Sequence, residues 1–147
     1  SNGFDPAIEE VLHFITSEGF AETNTSVFGE EVGSSIADAM DTARGWQFSS
    51  VPSSYPSSAW FTYNDSGCDY KCQVTEYTYW AITTYLEIQH FTNRSSEIGS
   101  EWGFTTKSGL QSGDTAGYAI VNNSNYKLPS VAPNLSYTAQ NLSVESR

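Results

Sequence analysis

Nineteen consecutive residues, Gln73 to Phe91 (QVTEYTYWAITTYLEIQHF), contain neither glycine nor proline. The run holds many β-branched and aromatic residues, which favour extended backbone. Its length decides against a strand, since strands rarely exceed about 10 residues. Apolar side chains fall on most of its sides, so it reads as a buried helix around which the rest of the chain packs. A chain of 147 residues is long enough for one domain with its own hydrophobic core, and residues 1–147 are read as a single domain.

The flanking sequence supplies further helices. Asp5-Pro6 is a helix start, with aspartate as the cap and proline where its missing N–H costs nothing. Ile8, Val11, Leu12 and Ile15 then recur at helical spacing, and Gly19 is a natural stop, so a first helix spans about 6–18. Asn24 to Gly33 reads as loop. Ser35 with Asp38 resembles a capping box ahead of a short helix that ends at Gly45. Residues 46–72 form a long loop rich in Ser, Pro, Tyr and Trp; its prolines oppose helix, and its rings call for packing onto the body. A short strand is expected at 59–63, and short helices near 95–102 and 115–122. The tail from Lys127 reads as extended. The expected class is mainly α, with long packed loops and little or no sheet.

Charge narrows the partners. Seventeen acidic residues against six basic ones give a net charge of −11. Nucleic acid and anionic membranes are poor partners for such a surface, because phosphate binding needs clustered Lys and Arg. No apolar run reaches the roughly 20 residues of a membrane helix. The opening SNGFDP shows no signal peptide, as expected of a mature or clipped chain. Two features point to a secreted, extracellular protein. Cys68 and Cys72 in GCDYKC lack the second pair that a zinc knuckle needs, and a local disulfide is the expectation. Asn-x-Ser/Thr occurs at Asn24, Asn64, Asn93, Asn122, Asn134 and Asn141, against roughly two expected by chance from the 36 Ser and Thr. These are candidate N-glycosylation positions.

Chemistry concentrates at two places. On a helix, Glu9 and His13 lie one turn apart on a shared face, with Glu10 beside them. Carboxylate oxygen and imidazole nitrogen are ordinary ligands of a divalent metal, and a neighbouring glutamate is where a general base would stand. The plain alternative is a solvated helix face whose acids favour the helix dipole. In the long helix, Glu76, Trp80, Thr83, Glu87 and His90 make one polar stripe. A glutamate in the setting TEYTYW must be hydrogen-bonded, paired, protonated or metal-bound. Tyrosine hydroxyls or Arg44 would satisfy Glu76; so would a metal, with Glu76 as third ligand.

EEVLH, residues 9–13, has the frame of an HExxH zinc helix with glutamate in the first ligand position. With a glutamate on a later helix, it resembles the gluzincin branch of zinc metallopeptidases. Over EEVLHFIT, SVFGEEVGSSIADAMDTARG, AWFTYND, VTEYTYWAITTYL and YKLPSVAPN the chain is similar to secreted proteins with a zincin-like core. The resemblance implies a zincin-like helical core, with Glu9, His13 and Glu76 as metal ligands and Glu10 as catalytic base. It implies zinc as cofactor and a peptide or protein as substrate. Exchange of the first histidine for Glu9 adds negative charge, weakens the metal as a Lewis acid and predicts little or no peptidase activity. The same exchange admits iron, manganese or calcium. The alternative function is a non-catalytic extracellular glycoprotein that binds partners or self-assembles.

Other constellations are weaker. Glu10-x-x-His13 and Glu87-x-x-His90 imitate the paired motifs of carboxylate di-iron bundles, but further glutamates on separate helices are missing. No G-x-S-x-G elbow and no phosphate loop occur.

Overall fold

A computed structural model describes residues 5–134 of the chain. Among them run seven α-helices: α1 (Ala7–Ile15), α2 (Thr25–Phe28), α3 (Ser35–Arg44), α4 (Tyr70–Tyr85), α5 (Arg94–Ile98), α6 (Lys107–Gly113) and α7 (Thr115–Val121). Extended pairing among the described residues is confined to two isolated bridges, Ser50 with Asp69 and Phe61 with Trp102. The architecture is mainly α.

The glycine- and proline-free run is the heart of the fold, displaced toward the N-terminus. The α4 helix begins at Tyr70 because Asp69 Oδ1 accepts the Cys72 N–H at 2.9 Å and so caps its first turn. It stops at Tyr85, since Glu87 adopts a left-handed φ of 59° that no helix can continue. The polar stripe is therefore cut short. Glu87 and His90 lie beyond the helix and are largely exposed, and the Glu87 carboxylate accepts the Lys107 N–H at the start of α6. This removes the helical geometry on which the di-iron reading depended.

Helices α1, α3, α6 and α7 all pack against α4. Their contact buries Val74, Tyr77, Tyr79 and Ile82 almost completely, each such side chain contributing about 1.5–3 kcal/mol through removal from water. Of the three buried threonines of α4, Thr84 hydrogen-bonds outside the helix, donating to the Phe104 carbonyl and accepting the Trp102 indole N–H, while the other two bond back to their own helix. Thr78 and Thr83 hydroxyls donate back to the carbonyls of Val74 and Tyr79, at 2.7 and 2.8 Å.

Several boundaries differ from expectation for local reasons. The first helix does not reach Glu18; α1 gives way at Thr16 to a π-helical turn, Thr16–Ala21, and Gly19 lies within it rather than stopping it. Asp5 performs as expected, accepting the Ala7 N–H at 2.9 Å. The cap of α3 is Ser34, not Ser35: its Oγ accepts the Ala37 N–H at 3.1 Å. The expected loop 24–33 contains α2. Helix α6 had no periodic signal in KSGLQSG and is begun by Thr106, whose Oγ1 accepts the Gly109 N–H. The loop 46–69 is irregular, and it packs Phe61 and the side of Trp60 into the core. The strand expected at 59–63 reduces to the Phe61–Trp102 bridge. The expected disulfide is present: Cys68 and Cys72 are bonded, with Cα atoms 5.3 Å apart at the head of α4.

Candidate metal centre

Leu12 anchors α1 in the core, leaving the neighbouring face of the helix, with Glu9 and His13, turned toward α4. There it meets Glu76. One ligand atom from each of Glu9, His13 and Glu76 lies within 4.8 Å of the other two. His13 Nε2 is 3.7 Å from Glu76 Oε2, too long for a hydrogen bond. Two atoms bound at ordinary zinc distances and a tetrahedral angle are roughly 3.4 Å apart, so the gap is close to that of two ligands sharing an ion. The His13 Nε2 atom is buried and has no hydrogen-bond partner. Its ring is held edge-on against Tyr79, centroids 5.7 Å apart. A buried nitrogen facing two carboxylates without a hydrogen bond fits a metal ligand.

Glu76 is mostly enclosed, its side chain 14% exposed. Burial is the largest influence on its carboxyl and the Glu9 carboxylate the next; together they raise its pKa from the usual 4.5 to about 7. A hydrogen bond from Tyr63 OH to Glu76 Oε1, at 3.2 Å, opposes this rise. The tyrosine-hydroxyl partner foreseen for Glu76 thus exists, but Arg44 is engaged elsewhere. Arg44 donates to Gln73 Oε1 at 2.7 Å and pairs with Asp41, with the Tyr70 ring beneath its guanidinium.

Glu10 stands apart. It is exposed, and it is not among the residues whose ligand atoms converge. Two residues that sequence reasoning did not single out belong to the site's surroundings. Tyr63 comes from the long loop and is pinned there by Tyr55, whose hydroxyl donates to its carbonyl and accepts its N–H. Glu101 accepts the Trp80 indole N–H at 2.9 Å, and burial, then the Glu9 carboxylate, push its carboxyl above the ordinary range against the pull of that hydrogen bond. The only trace of Glu101 in the sequence was indirect: a buried Trp80 needs an acceptor.

The candidate glycosylation positions Asn64, Asn93, Asn122 and Asn134 are exposed, Asn24 is half-buried at the start of α2, and Asn141 lies outside the described residues. No helix among the described residues is long and apolar enough to cross a membrane. No protein-family model, curated protein or solved structure matches the chain.

Proposed function

We propose that this chain is a secreted divalent-metal-binding domain, zincin-like in its core, that holds its ion between α1 and α4 through Glu9, His13 and Glu76. The observation that carries the reading is the convergence of these three ligand atoms on a buried, unpartnered His13 Nε2. A divalent cation would offset the mutual repulsion of Glu9 and Glu76 and supply the partner that His13 lacks. When bound, it would polarise a carbonyl or acidify a water molecule, the chemistry a hydrolase needs. Two carboxylates beside one imidazole blunt that capacity, and the exposed position of Glu10 gives it no apposed base, so peptidase activity is expected to be weak or nil. The Cys68–Cys72 disulfide supports an oxidising, extracellular setting.

Elemental analysis of natively purified protein, beside His13→Ala prepared identically, tests the reading. About one equivalent of zinc, iron, manganese or calcium per chain, lost in the variant, is the expected result. No metal in either protein, even after incubation with excess zinc or manganese, overturns it.

A second reading, a non-catalytic extracellular protein that binds partners or assembles, is favoured by one observation. Val11, Phe14 and Ile15 leave α1 with an apolar outer face, 55%, 70% and 40% exposed. The two readings are compatible, since that face and the ligand face lie on different sides of the helix.

A further inference from the structure

Glu101 needs a reason to be charged. Its visible task is to accept the Trp80 indole N–H, and a neutral glutamine would do that equally well. Yet an acid stands there, near enough to Glu9 and Glu76 for their charges to act on one another. Two structural threads tie its surroundings to Glu76. Trp80 lies one helical turn after Glu76 on α4, so the group held by its indole overhangs the same face. The Glu101 carbonyl accepts the Thr62 N–H at 2.8 Å, and the next residue, Tyr63, donates its hydroxyl to Glu76. The position is stiff: the Trp80 ring is stacked on Trp102 at 13°, and Trp102 is bridged to Phe61. The Arg94 charge opposes the rise in the Glu101 pKa; its guanidinium lies over the Trp80 ring and donates to Gln89 and Glu97.

We propose that Glu101 is a third carboxylate of the cation site, a positioning residue outside the inner set of Glu9, His13 and Glu76. It strengthens the hold on divalent cations of the manganese, iron and calcium class. The inference rests on the metal-binding reading above. Two carboxylates and one imidazole, with the charge of a third carboxylate beside them, make a hard, strongly negative site, which suits such ions better than it suits a Lewis-acidic zinc. Glu101 acts on the inner ligands by charge and by fixing the Trp80 face of the cleft. Outer partners of this kind commonly govern metal affinity about 10- to 100-fold.

The test is a calorimetric Mn²⁺ titration of the whole chain, with thermal melting of each metal-free protein, on wild type, Glu101→Gln, His13→Ala and the distant exposed acid Glu22→Gln. Glu101→Gln is expected to bind Mn²⁺ about tenfold or more weakly, with Glu22→Gln near wild type. Glutamine keeps the acceptor for Trp80 and removes only charge, so metal-free Glu101→Gln should melt at or above the wild-type temperature. A merely structural Glu101 gives the opposite pattern, a lower melting temperature with unchanged Mn²⁺ affinity, and that overturns the inference. So does complete loss of binding in Glu101→Gln equal to His13→Ala, which would make it an inner ligand. If wild type itself takes up no Mn²⁺, zinc or calcium, the metal-binding reading falls and takes this one with it. Wild-type binding that Glu101→Gln leaves intact refutes this inference alone.

Discussion

Two enclosed carboxylates, Asp114 and Glu76, sit in the same small fold and are treated in opposite ways. Asp114 is 2% exposed and fully subscribed. It accepts Tyr77 OH at 2.7 Å, the Trp60 indole N–H at 3.1 Å and, as the cap of α7, the Gly117 N–H at 2.9 Å. Glu76 receives one tyrosine hydroxyl, faces a histidine at a non-bonding distance and has Glu9 as its electrostatic neighbour. Three donors make a buried charge a structural keystone; one donor and like-charged neighbours leave it seeking a cation. The contrast separates a saturated acid from an under-coordinated one more sharply than burial does, because both residues are enclosed.

The contrast can be broken at either end. Asp114→Ala strands a phenol, an indole and a helix N–H in the core. It should destabilise the protein by about 3–5 kcal/mol, read as a large drop in the chemical denaturation midpoint. Glu76→Gln should do the reverse to the metal-free protein, holding or raising its stability by about 1 kcal/mol near pH 8 while abolishing metal uptake in calorimetry. A Glu76→Gln protein as damaged as Asp114→Ala would place both acids in the structural class.

The pH dependence has a definite sign. Glu76 holds its proton up to about pH 7 when folded and only to about 4.5 as an ordinary glutamate. Its contribution to metal-free stability is therefore fully present below 4.5 and is lost as the pH rises through 7. The stability difference between wild type and Glu76→Gln should move against wild type between these limits, followed by denaturant midpoints in chelator. A difference independent of pH contradicts the raised carboxyl. Metal uptake should run the other way, weakening below about pH 7 as the proton competes for Glu76. The smallest expected effect is that of Tyr63→Phe, which removes the one hydroxyl donor. A loss of about 0.5–1.5 kcal/mol at pH 8, shrinking at pH 5, would mark that bond as one made to the charged form.

The sequence carried the α4 helix, the shared face of Glu9 and His13 and the enclosure of Glu76 because each is a local fact, whereas the meeting of the three across two helices came only from the resemblance. Glycine-free length and four-residue spacing act within one helix, and a carboxylate amid aromatic residues has few fates. Glu101 and Tyr63 were illegible for the converse reason. Each reaches the site from irregular backbone, through partners more than a dozen residues away: Glu101 through Trp80 and Thr62, Tyr63 through Glu76. Helix α6 was hidden in glycine and serine, residues that disfavour helix interiors, and forms because Thr106 and Glu87 receive its first N–H groups. The end of α4 was hidden because a left-handed glutamate leaves no compositional mark.

The joint after α1 has a dynamic consequence. The π-helical turn at Thr16–Ala21 interrupts the regular hydrogen-bond ladder, and Leu12 is the single buried residue of α1. Helices anchored this lightly belong to the low end of the local-unfolding scale. The amide protons of residues 7–15 should accordingly exchange with deuterated solvent well ahead of those in α4. An ion bridging α1 to α4 would close that opening, so slowed exchange in this one segment would report occupancy of the site directly.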